Sequence, residues 1–133
     1  MTTLSEKART FLNEKRFAVL ATLNADGSVQ QTTMWYLLEG DTIVMNTKVG
    51  RVKERNLRRD PRISICVEDG YRYLTVSGTA EFIDDQATTQ QDIYRLALRY
   101  HGEEGAARQM AEQFSQEQRL TVRLTPERVI EDL

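Results

Sequence analysis

FAVLATLNADGSVQQTTMWYLLEGDTIVMNT, residues 17–47, is the stretch on which the fold turns. Phe17 to Leu23 is apolar and runs into Asn24-Ala25-Asp26-Gly27, a turn sequence ending in the Asp-Gly pair favoured in tight hairpins. Ser28 to Leu38, rich in Thr, Val and aromatic residues, reads as the returning strand. Gly40-Asp41 turns the chain again, and Thr42 to Thr47 reads as a third strand. The pattern predicts a meander of three strands joined by short turns.

Upstream, Thr3 to Lys15 places Leu4, Ala8, Phe11 and Leu12 on one helical face. Downstream, Val49 to Arg59 has helical character and stops at Asp60-Pro61, because the residue before proline disfavours helix. Ile63 to Glu68 is a fourth strand, Asp69-Gly70 a second Asp-Gly turn, and Tyr71 to Ile83 a long fifth strand with Gly78 as a bulge or a bend inside it. Thr88 to Tyr100 and Glu103 to Phe114 have helical spacing on either side of His101-Gly102. Arg119 to Leu124 alternates as a sixth strand, Pro126 opens a turn, and Arg128 to Leu133 adds a last strand. The absence of regular βαβ alternation points to a mainly β, antiparallel barrel with peripheral helices (α+β). Residues 1–133 are expected to form one domain, and a homodimer is a natural cover for its open faces and edges.

Composition narrows the function. The chain has one cysteine, Cys66, in the apolar run Ile63-Ser64-Ile65-Cys66-Val67, so the expectation is a buried core thiol. There is no apolar run of the roughly 18 residues a membrane span needs, and MTTLSEKARTFLNEKR has no signal-peptide pattern. A soluble, cytoplasmic protein is expected. Net charge is −2, yet Lys48 to Arg62, KVGRVKERNLRRDPR, holds seven bases against two acids. Charge gathered in this way attracts anions.

The local geometry says where. The third strand ends in the hydrogen-bonding pair Asn46-Thr47, the chain turns at Gly50, and a helix begins. The first amides of a helix are unpaired and its N-terminus is partly positive, which suits a phosphate. Arg51 offers a planar fork and Lys53 a point charge at that position. The competing reading is a solvated charged face. Nucleic-acid binding is not expected, because no helix-turn-helix, zinc or RNP pattern accompanies the arginines. Gln31, Thr32 and Thr33 are polar in the middle of a strand expected to be half buried, and a flat heterocycle with several donors and acceptors is one partner that would satisfy them; a solvent face or a subunit contact is the other. Tyr100 and Phe114 are read as core residues or as walls of a substrate opening. The sequence contains no Ser/His/Asp arrangement, no HExxH and no metal-ligand cluster, so no metal is expected and no catalytic residue is assigned. Chemistry by a borrowed cofactor fits better.

The ordered blocks FAVLATLNADGSVQQTTMWY, IVMNT, GRVKERNLRRDPRISICVED and YLTVSGTAEF closely resemble the flavin/deazaflavin oxidoreductases of the pyridoxamine-5′-phosphate-oxidase-like class. The Arg51–Arg62 block RVKERNLRRDPR is the most specific and resembles the branch that binds coenzyme F420, an 8-hydroxy-5-deazaflavin. The resemblance implies a split β-barrel of the FMN-binding type, homodimeric, with cofactor at the interface. It implies that the ring system lies along Gln31, Thr32, Thr33, Met34 and Trp35, and that the ribityl chain passes Met45, Asn46 and Thr47. The phosphate is implied at Arg51, Val52 and Lys53 with Asn56 nearby, and Tyr71 approaches from the other subunit. F420 is the expected cofactor and FMN the alternative, with the further bases Lys48, Arg55 and Arg58 suiting the longer anionic tail of F420. The implied activity is hydride transfer to an unsaturated small-molecule substrate such as a quinone, a tetrapyrrole or an enone. Tyr73, Arg55 or water is the candidate proton source. The non-enzymatic alternative is a protein that binds the cofactor without turnover.

Overall fold

The computed structural model describes residues 2–133. Its element order is α1 (Glu6–Asn13), β1 (Ala18–Leu23), β2 (Val29–Met34), β3 (Leu37–Glu39), β4 (Thr42–Lys48), α2 (Val52–Arg59), β5 (Arg62–Glu68), β6 (Tyr73–Ile83), α3 (Gln86–Glu112), a 3-10 turn (Phe114–Gln116) and β7 (Arg119–Asp132). All seven strands form one antiparallel sheet in the order β2-β1-β5-β6-β7-β4-β3. The architecture is mainly β with peripheral helices, as the sequence predicts.

Two cores hold it. The inner faces of β1, β5, β6, β7 and β4 contribute Leu20, Ile65, Val76, Val122 and Met45, and α1 closes this core with Ala8, Phe11 and Leu12. Helix α1 starts where Ser5 Oγ accepts the amide of Ala8 at 3.0 Å, an N-cap that shortens the helix from the predicted Thr3–Lys15. The second core lies outside the sheet. There α3 packs Ile93, Leu96 and Ala97 against Leu37 and Val44. Strand β4 is therefore buried on both faces, from Ile43 to Thr47, and this double burial brings α3 over the end of the strand where the basic segment begins.

The three-strand meander is not what forms. Ser28–Leu38 is two strands: β2 pairs with β1 at one edge of the sheet, and β3 pairs with β4 at the other. The alternation fails at Met34-Trp35-Tyr36-Leu37, where Met34, Tyr36 and Leu37 are all buried and cannot share one face of a single strand. Tyr36 anchors the crossing, and its hydroxyl donates to the Leu12 carbonyl at 2.9 Å. Cys66 also departs from expectation. β5 turns Ile63, Ile65 and Val67 inward, so Cys66 lies half-buried on the opposite face.

Pro126 makes no turn. It lies inside the fourteen-residue β7, where Ser77 pairs with Arg128 and Gly78 with Pro126, leaving Glu127 as the extra residue of a bulge. The bulge predicted at Gly78 is there, and it explains the glycine: a Cβ on Gly78 would stand 2.6 Å from the Thr125 carbonyl oxygen, a backbone atom with no room to yield. Gly78→Ala is expected to lower stability by about 2 kcal/mol, as overpacking does, read as a lower urea midpoint with an unchanged slope. The break predicted at His101-Gly102 is there: Gly102, at φ 75° and ψ 179°, is not helical, and α3 is two helical segments joined across that kink. Among the described residues, no helix is long and apolar enough to cross a membrane.

Candidate functional site

The end of β4, the start of α2, the start of β7 and the underside of α3 enclose a cleft of about 200 Å³. Its apolar side is Trp35, Ile93, Leu96 and Phe114; its charged side is Lys48, Arg51, Lys53 and Arg119; Thr33, Met34, Asn46, Thr47 and Gln113 complete it.

The turn into α2 is built from the basic segment itself. Gly50, at φ 101°, takes a conformation that other residues rarely adopt. Its amide donates to Glu54 Oε1 at 2.9 Å and its carbonyl accepts Arg55 Nη1 at 2.6 Å. Arg58 donates to the other Glu54 oxygen. This contact first, then the Gly50 amide, holds the Glu54 carboxyl below its usual pKa, so the clamp is anionic. The clamp presents Arg51 as the N-cap residue of α2, and among the described residues no side chain caps the helix amides. An N-terminus without a side-chain acceptor leaves donors and positive potential for an external anion.

Lys53 is the unusual member. It is 7% exposed, and among the described residues no carboxylate lies within ion-pair distance of it. Burial, then the neighbouring Arg51 and Arg119, push its pKa down. Arg119 is 5% exposed and is likewise pushed down by burial, against the opposing pull of Glu117. Its guanidinium stands 5.0 Å over the Phe114 ring. The opposite wall is rigid: Trp35, the single tryptophan, stacks on Tyr100 at 5.2 Å and meets Phe114 edge-on at 6.1 Å. Two desolvated cations and a third, more exposed one beside a fixed aromatic plane are suited to a ligand that joins an anionic group to a flat ring.

Of the residues singled out in the sequence, Thr33, Met34, Trp35, Asn46, Thr47, Arg51 and Lys53 come together here. The others do not. Met45 points into the inner core and is fully buried. Gln31 is solvent-exposed on β2, and Thr32 is half-buried with its Oγ1 enclosed and unpartnered, so this stretch is an edge strand that keeps only part of the burial expected of it. Val52 is 41% exposed on α2. Asn56 is buried away from the cleft, donating to Thr22 Oγ1 at 3.1 Å and Asn24 Oδ1 at 2.8 Å, where it ties α2 to the β1–β2 turn. Tyr71 is 97% exposed at the β5–β6 turn. Arg55 and Arg58 hold the Gly50 clamp and stay exposed outside the lining of the cleft. Phe114 is a wall, and Tyr100 is a core residue behind Trp35. The sequence reading missed Arg119, Ile93, Leu96 and Gln113. Its one trace of Arg119 is a charged residue opening an alternating strand.

The chain matches the pyridoxamine 5′-phosphate oxidase family over residues 4–131 and belongs to that family. It is 31% identical over 101 residues, 74% of each chain, to the F420H2-dependent biliverdin reductase of Mycobacterium tuberculosis (strain CDC 1551 / Oshkosh). Among solved structures, a conserved hypothetical protein of Mycobacterium tuberculosis superposes with a TM-score of 0.82 at 31% identity, covering 97% of this chain and 84% of that one. An F420 reductase superposes at 0.77 and 24% identity, over 96% and 98% of the two chains, a likeness of fold.

Proposed function

We propose that this protein is an oxidoreductase that binds the deazaflavin F420 and reduces an unsaturated small molecule, acting as a homodimer of one-domain subunits. The observation that carries the reading is Lys53, a buried cation with no carboxylate partner among the described residues, beside Arg51 at the uncapped start of α2 and facing Trp35. Arg51, Lys53 and the first α2 amides would hold a phosphate, Thr47 and Lys48 would follow the chain leading to it, and Thr33 to Trp35 would orient the ring. The chemistry such a cofactor supplies when bound is hydride transfer. The protein's own part is to fix ring and substrate together and keep water out, which lowers a barrier by several kcal/mol. The relative that reduces biliverdin with F420H2 supports F420 over FMN and a tetrapyrrole among the substrates to try first.

The homodimer draws on an open sheet face. Val19, Cys66, Thr75 and Ile130 lie side by side across β1, β5, β6 and β7, with Val19 and Ile130 exposed. A second subunit on that face would cover this row, and the exposed Tyr71 is free to reach across.

The test is a pair of titrations with F420 and FMN, followed by Trp35 fluorescence. Saturable F420 binding, weakened at least tenfold in Arg51→Ala, is expected; if FMN alone binds, the protein is a flavin enzyme; if neither binds, the reading is wrong. Adding biliverdin to the reduced complex should speed cofactor oxidation in an enzyme and leave it unchanged in a carrier.

A further inference from the structure

We propose that Arg119 is a third ligand of the anion held in this cleft, positioned by Asn46 and restrained by Glu117. The inference rests on reading the cleft as an anion site, and goes beyond the two cations that the basic segment supplies.

The hydrogen-bond directions fix Asn46. The Asp92 carboxylate only accepts, so Thr121 Oγ1 donates to Asp92 Oδ2 at 2.8 Å. That hydroxyl is then an acceptor for Asn46 Nδ2 at 3.2 Å, which also donates to the Thr89 carbonyl at 3.0 Å. With both donors engaged, Asn46 turns its Oδ1 to Arg119 and accepts Nε at 2.9 Å. Asn46 lines the cleft, yet its amide serves the protein: it orients the arginine.

Glu117 Oε1 takes a second donor, Nη1 of Arg119, at 2.7 Å. Among the described residues, no acceptor is within hydrogen-bonding reach of the remaining guanidinium donors. A buried guanidinium has five donors in a rigid fork. Here two are used for placement, while Phe114 fixes the plane of the group. The rest are left on a residue that shares the cleft with Arg51 and Lys53. The depressed pKa of Lys53, with Arg119 among its causes, is in keeping with that proximity. Glu117 also lies 3.7 Å from Lys48. One carboxylate therefore partly neutralises two of the cleft's cations and competes with any anion that enters.

The experiment is a titration of the dimeric or monomeric protein, as purified, with inorganic phosphate at constant ionic strength, followed by Trp35 fluorescence. Arg119→Gln is expected to weaken phosphate binding at least tenfold. Arg119→Lys, which keeps charge and loses the fork, should weaken it three- to tenfold. Glu117→Gln should tighten it about threefold in the wild type and clearly less in the Arg119→Lys background, a coupling that relief of Lys48 alone does not produce. Asn46→Ala should weaken binding about as much as Arg119→Lys, and the double variant should lose no more than either alone. If Arg119→Gln fails to fold, Arg119→Lys and Glu117→Gln decide. Wild-type affinity in both of these, with binding lost in Arg51→Ala, overturns this inference and leaves the cofactor reading standing. Phosphate binding that depends on Arg119, with neither F420 nor FMN bound, upholds this inference and overturns the cofactor reading. No phosphate binding at all overturns the anion site.

Discussion

Lys53→Met is expected to weaken F420 and phosphate binding about a hundredfold and, in the same protein, to raise the melting temperature by about 4 °C. Both effects have one origin. The ammonium is 7% exposed, flanked by Arg51 and Arg119 and, among the described residues, without an anionic partner. A buried, uncompensated charge costs stability, and an apolar side chain of similar shape relieves that cost. The same charge would contribute a charge-assisted hydrogen bond to a bound anion, and about 2.7 kcal/mol of such contact is a hundredfold in affinity.

The pH dependence follows in sign. The folded pKa of Lys53 lies below its ordinary value of 10.5, so in the window between the two the unfolded chain binds more protons and stability rises with pH. Lys53→Met should lack that rise. Anion binding by the wild type should weaken as pH climbs through the lowered value, because Lys53 loses its charge while Arg51 and Arg119 keep theirs. Calorimetry and titration of the two proteins across alkaline pH make the check. If Lys53 were part of a solvated face, neither affinity nor melting temperature would move.

The basic segment shows how far a sequence carries a site. Seven cations between Lys48 and Arg62 point to an anion, and the strand-turn-helix reading places it at Arg51 and Lys53. Sequence cannot say which cations already have partners. Arg55 is bound to the Gly50 carbonyl, Arg58 to Glu54 and Asp84, Arg59 to the Leu23 carbonyl and Asn56, and Arg62 to Asp60. The concentration of charge is therefore mostly scaffolding that folds the Gly50 turn and docks α2. Arg119 was out of reach for the opposite reason. It is distant in the chain and enters the cleft only because β4 pairs with β7, setting Lys48 opposite Arg119, while α3 covers the outer face. Most strands were legible from turns and alternation, although residues 28–38 form two strands and residues 119–132 form one; strand order was not legible, since it depends on where the chain crosses between β2 and β3.

That crossing is where the fold is most sensitive, and Tyr36→Ala is expected to destabilise the protein by about 3–5 kcal/mol, the range for truncating a buried aromatic. Tyr36 is fully buried in the inner core, its hydroxyl on Leu12 and its backbone amide donated to Tyr100 Oη at 3.2 Å. Removing the ring opens a cavity at the point where the chain leaves one edge of the sheet for the other. It also loosens Tyr100, the residue on which Trp35 stacks, so the cleft wall should soften with the fold. Tyr36→Phe keeps the ring and leaves the Leu12 carbonyl with only the Arg99 guanidinium that already reaches it. That should cost about 1 kcal/mol. Burial raises the Tyr36 hydroxyl to about 12 from its usual 10.0. A group raised on folding contributes stability that is complete below the unfolded value and is lost as pH rises through the folded one. Wild-type stability should therefore fall between pH 10 and about 12, and Tyr36→Phe should fall less over that window. Equilibrium denaturation of the three proteins at a series of alkaline pH values decides the matter. Parallel pH curves for wild type and Tyr36→Phe would show that the hydroxyl is not held as the structure has it. A Tyr36→Ala protein with an unchanged midpoint would mean that the crossing is not anchored at this residue.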